Sequence, residues 1–357
     1  MKKHKLFSIS FAFIAILIIS CKKSDVPRDR WTEQQANEWY GQWDWLRGCN
    51  FQPSSAINQL EMWQADTFDP QTIDRELGWA SDIGLNCMRV YLHHVLWETD
   101  PEGFKQRIGE YLDIAEKHGI ATIFVFFDDC WNATYAAGKQ PDPKPGVHNS
   151  GWVRDPGELL YEDPELIVLL EDYVKDILET FKDDDRIVFW DLYNEPGNNG
   201  YGERSFPLLK KVFEWAQTIN PRQPLSVGVW NKELKGMNDF ILSMSDIVSY
   251  HDYNDSVSHQ QQIDLLKAYN RPMICTEYMS RRSGSCFQTI MPMLKENRIG
   301  AINWGLVSGK TNTIYAWDEP MPQGGEPELW FHDIFRQDGT PFSVEEIEVI
   351  RNLTSED

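Results

Sequence analysis

The sequence predicts an α/β fold, a single (β/α)8 TIM barrel, and three observations carry that reading. Eight short β-rich runs alternate with helical segments across about 300 residues, which is the arithmetic of such a barrel. Several runs are continuously apolar and β-branched, as strands buried on both faces must be. A doubly wound sheet would open on a Gly-rich first turn, and the sequence has none.

Taken in order, the chain starts outside the fold. MKKHK is basic, and LFSISFAFIAILIIS is a 15-residue apolar run ending at Cys21; a bilayer-spanning helix needs about 20. A basic start, a short apolar run and a small residue before the break read as an export signal, so residues 1–20 are set aside as a signal peptide. The ending Ile18-Ile19-Ser20-Cys21 resembles a bacterial lipobox. That resemblance implies cleavage before Cys21, its lipidation, and a place in the bacterial envelope, at the outer membrane or cell surface. Several acyl chains anchor stably, at ~0.8 kcal/mol per buried methylene. Residues 21–41 then read as a lipidated tether (KKSDVPRD, 22–29) with a lead-in, and 42–357 as one barrel domain.

The β-rich runs are 44–50, 85–92, 120–127, 187–193, 224–230, 246–251, 272–277 and 299–305. Between them, residues 101–118 align Phe104, Ile108, Leu112 and Ala115, and residues 164–182 align Leu170, Val174, Ile177, Leu178 and Phe181. Both are amphipathic stripes at helical spacing. Asp69-Pro70 and Asp163-Pro164 are cap and first-turn pairs. Two long segments rich in Pro and Gly, 132–158 and 306–329, read as lids or ligand walls.

Composition narrows the function. Apolar residues at 41% and charged residues at 25% exclude disorder, collagen and coiled coil. A formal charge of -21 argues against a nucleic-acid partner, because a polyanion needs a basic face. The 15 Trp, 13 Tyr and 18 Phe suit a large core or a surface on which flat, half-apolar ligands stack. Beyond Cys21, the cysteines Cys49, Cys87, Cys130, Cys275 and Cys286 match no zinc spacing, and an odd number prevents complete pairing. Most read as buried small hydrophobes, with the disulfide question left open.

In a barrel the chemistry sits where strands end. Strand two offers Arg89, Tyr91, His93, His94 and Trp97; strand three Asp128, Asp129 and Trp131; strand four Asn194 and Glu195. Strand five offers Trp230, strand six His251 and Tyr253, strand seven Glu277, and strand eight Trp304. Glu195 and Glu277 therefore face each other across the mouth. Two opposed carboxylates are what glycosidic cleavage needs, one to protonate the leaving oxygen and one to attack or to activate water. Arg89 is the natural partner to keep one of them charged. His93 and His94, adjacent on a strand, are expected to point to opposite faces, so a shared metal ion is not expected. Trp97, Trp131, Trp152, Trp230 and Trp317 are stacking candidates, about half of them expected in the cleft, while Trp79 and Trp190 read as packing residues.

FWDLYNEPGN, with Asn194-Glu195-Pro196 closing strand four, resembles the acid/base signature of glycoside hydrolase family five, the cellulase-like branch of a clan of retaining (β/α)8 glycosidases. The resemblance covers roughly 42–345. It implies that Glu195 is the acid/base, that Asn194 bonds the sugar 2-hydroxyl, and that Glu277 in ICTEYMS is the nucleophile. It also implies that Arg89 in NCMRVYL holds that nucleophile, that His251 and Tyr253 in SYHDYN flank it, and that Trp304 in AINWGL floors the subsite of the cleaved sugar. The sequence departs at strand three, where Asp128-Asp129 and Trp131 replace a frequent histidine. An acidic pair there is expected to bond sugar hydroxyls, which counts against a plain cellulose or mannan substrate, with a loop turn or a cap the equal alternative for at least one of the two. The resulting expectation is a monomeric hydrolase of β-glycosidic bonds in a poly- or oligosaccharide, needing no metal or organic cofactor. Exo action on short oligosaccharides, or a carbohydrate-binding lipoprotein without turnover, stay open beside it.

Overall fold

A computed structural model describes residues 26–355. Cys21 and the proposed signal peptide lie outside the described residues. Nine strands form one sheet: β1 (Arg47–Asn50), β2 (Cys87–Tyr91), β3 (Ala121–Asp128), β4 (Ile187–Asn194), β5 (Leu225–Ser226), β6 (Gly228–Val229), β7 (Val248–His251), β8 (Met273–Tyr278) and β9 (Gly300–Trp304). Their order is β5-β4-β3-β2-β1-β9-β8-β7-β6, and every pairing is parallel. β5 and β6 are two halves of one strand position separated by Val227, so the two ends of the sheet meet there and the barrel closes. Each sequence run lies on its strand to within about three residues.

The helices follow their stripes. Helix Pro101–Lys117 buries Phe104, Ile108, Leu112 and Ala115, and helix Leu166–Phe181 buries Leu170, Val174, Ile177 and Leu178. Asp69 caps helix Pro70–Asp82 by accepting from the Thr72 amide at 3.0 Å. At the other helix, Asp163 accepts from the Glu165 amide at 3.1 Å and the helix begins only at Leu166. No helix among the described residues is long and apolar enough to cross a membrane.

The segment before β1 is more than a lead-in. Arg28 bonds Asp246 at 3.0 Å, the Trp31 amide bonds the same carboxylate at 2.8 Å, and helix Glu33–Tyr40 buries Ala36. Ala36 packs with Ile123, Phe189, Ile247, Ile274 and Ile302, close to where strands begin, with Trp31, Trp39, Tyr40 and Trp43 around them. The expectation of a free tether through Asp29 is therefore corrected: from Arg28 onward the chain plugs the bottom of the barrel. The five cysteines of the barrel are unpaired thiols, four of them buried and Cys286 half-buried.

Candidate active site

Parallel register puts the strand-end residues in one layer. Asn50 sits beside Arg89 and Trp304, Asp128 beside Asn194, and His251 beside Glu277. Arg89, fully buried, is the hub. Its guanidinium donates to Asp191 at 2.9 Å, to Asn50 at 2.7 Å, to Asn194 at 2.7 Å and to Glu277 at 2.7 Å. Burial works against its charge, but Tyr91, Asp191 and Glu277 outweigh it and raise the pKa well above the usual value.

Glu277 and Glu195 occupy different surroundings. Glu277 accepts on Oε1 from Arg89 and from the Tyr91 hydroxyl at 3.0 Å, and on Oε2 from the Tyr253 hydroxyl at 2.8 Å. Glu195 follows the last residue of β4 at φ +44°, a left-handed conformation that costs a non-glycine residue about 1–3 kcal/mol. That turn swings its carboxyl group into the mouth. There it faces the His251 Nδ1 at 2.7 Å, the Cys130 thiol at 3.3 Å and the Asn198 amide. Burial pushes Glu195 upward, but the His251 bond and charge prevail, and its pKa falls below the ordinary value. Burial likewise opposes charge on His251, and Glu277 and Glu195 together lift it above the usual imidazole value. Both directions favour the ion pair of a charged imidazole with an ionised Glu195. Ligand atoms of Glu195, His251 and Glu277 all lie within 4.8 Å of one another.

The cleft around this pair has a volume of about 450 Å³. It is lined by Glu195, Asn198, Asn199 and Trp230 from the ends of β4 and β6, and by Trp131, His148, Asn149, Tyr253, Trp304, Trp317 and His332. Of the five tryptophans proposed for stacking, Trp131, Trp230 and Trp317 reach the cleft. Trp152 is buried behind Trp304, with ring centroids 5.8 Å apart. Trp97 is a correction: it follows β2 on a short helix, its indole bonds Asp176 at 2.7 Å, and its ring packs on Tyr173. Trp190 is buried in the core, and Trp79 packs at its edge.

Asp128 is also corrected. Instead of facing a sugar, its carboxyl group is 1% exposed and accepts from Asn194 at 2.9 Å, from Trp152 at 2.7 Å and from the Cys130 amide at 2.9 Å. Burial pushes it up to about 7. Asp129 is equally buried, accepting from Tyr193, Ser205 and the Gly197 amide, and is pushed up to about 6. The acidic pair braces the β3 and β4 ends against each other, so the objection it raised to a mannan-type substrate falls away. Asn194 is committed too, accepting from Arg89 and donating to Asp128. Nor do His93 and His94 diverge. β2 ends at Tyr91, so they leave the strand and stack with centroids 5.0 Å apart. His94 bonds Asp155, His93 contacts the Arg154 carbonyl at 3.1 Å, and the set pins the long loop after β3.

Sequence reasoning missed Cys130 and Asn198 at Glu195, and gave Tyr91 no role at Glu277. Asn198 lies three residues past Glu195, and Cys130 two residues past the end of β3, which were the available signals. Missed as well were His148, Asn149 and His332, each in a long loop without periodicity.

Among curated proteins, none matches the chain in sequence. Many solved structures share the fold. A GH5_18 protein from Streptomyces cattleya, in complex with Manb1-4GlcNAc, superposes with a TM-score of 0.59 at 12% identity, over 88% of this chain and 82% of that one. The endo-beta-1,4-mannanase from Thermotoga petrophila gives 0.58 at 15% identity, over 89% and 79%. The exo-beta-1,4-mannosidase Op5Man5 from Opitutaceae bacterium strain TAV5 gives 0.60 at 16%, over 87% and 60%. At such identities the likeness concerns the fold. The family described as cellulase (glycosyl hydrolase family 5) matches residues 47–310, most of the barrel and the whole carboxylate layer. The chain belongs to glycosyl hydrolase family 5 and is a glycoside hydrolase acting on carbohydrate.

Proposed function

We propose that this hydrolase cleaves β-mannosidic bonds with retention, Glu277 attacking and Glu195 serving as acid and then base. The observation that carries the reading is the pair of unlike carboxyl environments with oxygens inside 4.8 Å. Retaining enzymes hold their carboxyl groups about 5–5.5 Å apart, against 6.5–9.5 Å where a water must fit between. Three donors on Glu277 fix its orientation, as a nucleophile needs. Glu195 is joined to a proton-bearing imidazole, from which it can relay the proton that a leaving oxygen requires. When the glycosyl-enzyme forms, the charge on Glu277 disappears and with it the strongest support for His251 as a cation. Glu195 then meets an approaching water as a base. The choice of a mannoside is supported by the β-1,4-mannanase and β-1,4-mannosidase among the structural neighbours.

The test is a 2-deoxy-2-fluoro-β-mannosyl fluoride incubated with the protein, followed by peptide mass mapping. A covalent glycosyl adduct on Glu277, together with a β-configured first product from a β-mannoside by NMR, is the expected result. An adduct elsewhere, or an α-configured first product, ends the assignment. Cys21 is proposed as the lipid attachment site, and Cys21→Ser is expected to move the protein from the membrane fraction to the soluble one. Unchanged membrane recovery would count against the anchor.

A further inference from the structure

The two long loops do not stand apart around the mouth; they are joined. The Asn149 amide donates to the Thr311 carbonyl at 2.8 Å, and the Met321 amide to the Gly146 carbonyl at 2.9 Å. His148 Nδ1 contacts the Tyr315 carbonyl at 2.8 Å, and the Asn312 carboxamide donates to the Lys144 carbonyl at 2.9 Å. Gly146 has φ +66°, and a Cβ there would come within 1.7 Å of the Met321 oxygen, so this crossing admits only glycine. Rings continue the barrier. Trp131 lies 5.2 Å from His148, His148 5.3 Å from His332, and His332 5.7 Å from Tyr253. The arc runs from the end of β3 to just past β7. Glu195, Asn198 and Trp230, carried by the ends of β4 and β6, line the cleft outside that arc.

Inside that arc, two buried polar side chains lack partners. Asn149 is 1% exposed and lines the cleft, yet neither its Oδ1 nor its Nδ2 is hydrogen-bonded. His332, equally buried, also lines the cleft; it uses Nδ1 against the Met279 carbonyl and leaves Nε2 unpaired. With Nδ1 donating to that carbonyl and burial holding the ring neutral, Nε2 is an acceptor. Buried polar groups are nearly always paired, so two unpaired ones in one cleft call for a ligand with hydroxyls.

We propose that the glycone end of the cleft is blind, so that the enzyme removes single sugars from a non-reducing end, with Asn149 and His332 hydrogen-bonding the hydroxyls of that terminal sugar. This rests on the reading of Glu277 and Glu195 given above, which places the attacked sugar inside the arc. His332 Nε2 accepts from one hydroxyl, and the Asn149 carboxamide donates to and accepts from others. A chain continuing past the terminal sugar would run into the joined loops.

The experiment compares two probes on the full-length protein by calorimetry: β-1,4-mannotetraose, and the same tetraose with its non-reducing terminal 4-hydroxyl capped by a further substituent. Binding of the free tetraose with at least tenfold weaker binding of the capped one is expected. Equal binding, or no binding of either, overturns the blind end. A second arm follows a tetraose labelled at its reducing end. Labelled triose and free mannose as the first products support exo action, and labelled biose first overturns it. Selective binding without any turnover would instead sink the proposed hydrolysis and leave the blind pocket standing. Asn149→Ala and His332→Ala should each raise the KM for an aryl β-mannoside about tenfold with a smaller change in kcat. His332→Gln, which keeps an acceptor, should restore most of that loss. Unchanged KM in both alanine variants would remove them from the recognition.

Discussion

The two ends of this barrel are built from opposite materials. At the bottom, Phe189, Ile247, Ile274 and Ile302 close the interior with Ala36 laid against them, and the cluster consists of apolar side chains throughout. At the top, in the next layers of the same strands, Arg89, Asp191, Asn194 and Glu277 fill the interior with charge. A buried ionic layer contributes little net stability, because desolvation offsets most of its attraction. An apolar layer contributes roughly 25 cal/mol per Å² buried. The fold is held at one end and used at the other, and substitutions should separate the two cleanly.

Glu277→Ala should produce the largest effect. It is expected to lower kcat about 10⁴-fold or more on every substrate, activated aryl glycosides included, because no other group forms the intermediate. Arg89 keeps Asp191 as a counterion, so the thermal midpoint should fall less than for a core truncation such as Phe189→Ala; a larger fall would mean that the top layer also carries the fold. Glu195→Ala comes next, with losses of about 10²–10⁴-fold on natural linkages but far less on aryl glycosides with good leaving groups. Azide should rescue it with a β-glycosyl azide, while Glu277→Ala with azide should give the α-product; the reverse pattern would swap the two roles.

Phe189→Ala works on the other end. Emptying that fully buried site should cost about 3–5 kcal/mol in denaturant unfolding and leave the KM and kcat of the remaining folded protein unchanged. An altered kcat would show that the two ends are coupled. The smallest effect concerns Glu76, buried on helix Pro70–Asp82 and bonded to the Ser54 hydroxyl and amide. Burial pushes its carboxyl up to about 7. A carboxyl with a raised folded pKa binds more protons folded than unfolded. Its contribution is therefore complete below the unfolded value near 4.5 and is lost as pH rises through about 7. Against Glu76→Gln, which keeps the shape, the wild type should lose up to about 3 kcal/mol between pH 4.5 and 7.5. Parallel stability curves for the two proteins would refute the raised value.

The bottom was the easier end to read from sequence. Continuous β-branched runs such as IATIFVFF can only be strands buried on both faces, and they lie where that reasoning places them. The fifth run was found but not its break at Val227, since nothing in PLSVGVW marks a two-residue pairing on each side. At the top, Arg89, Asn194, Glu195, His251, Tyr253, Glu277 and Trp304 were legible because each lies at or just past a strand end, where position alone implies an inward or mouth-facing side chain. Asp128 lies there as well, and its case shows the limit. Sequence marks a residue as belonging to the layer, but not whether neighbouring donors such as Trp152 and Asn194 have already claimed it. Trp97 failed for another reason, since one residue inside a helix the strand-end rule no longer applies. Asn149 and His332 were beyond reach because their place depends on two loops meeting, as where His148 packs on His332, 184 residues away, with no pattern in either segment.

The plug of the barrel bottom also sets direction. Arg28 and Trp31 fasten the incoming chain to Asp246, at the end of the barrel away from the carboxylates. Six residues separate Cys21 from Arg28, a leash of at most about 25 Å when fully extended. A molecule hung from Cys21 would ride with its back to the lipid and its mouth outward. Sugar chains arriving from the surroundings could then enter end-on, without the supporting surface in their way.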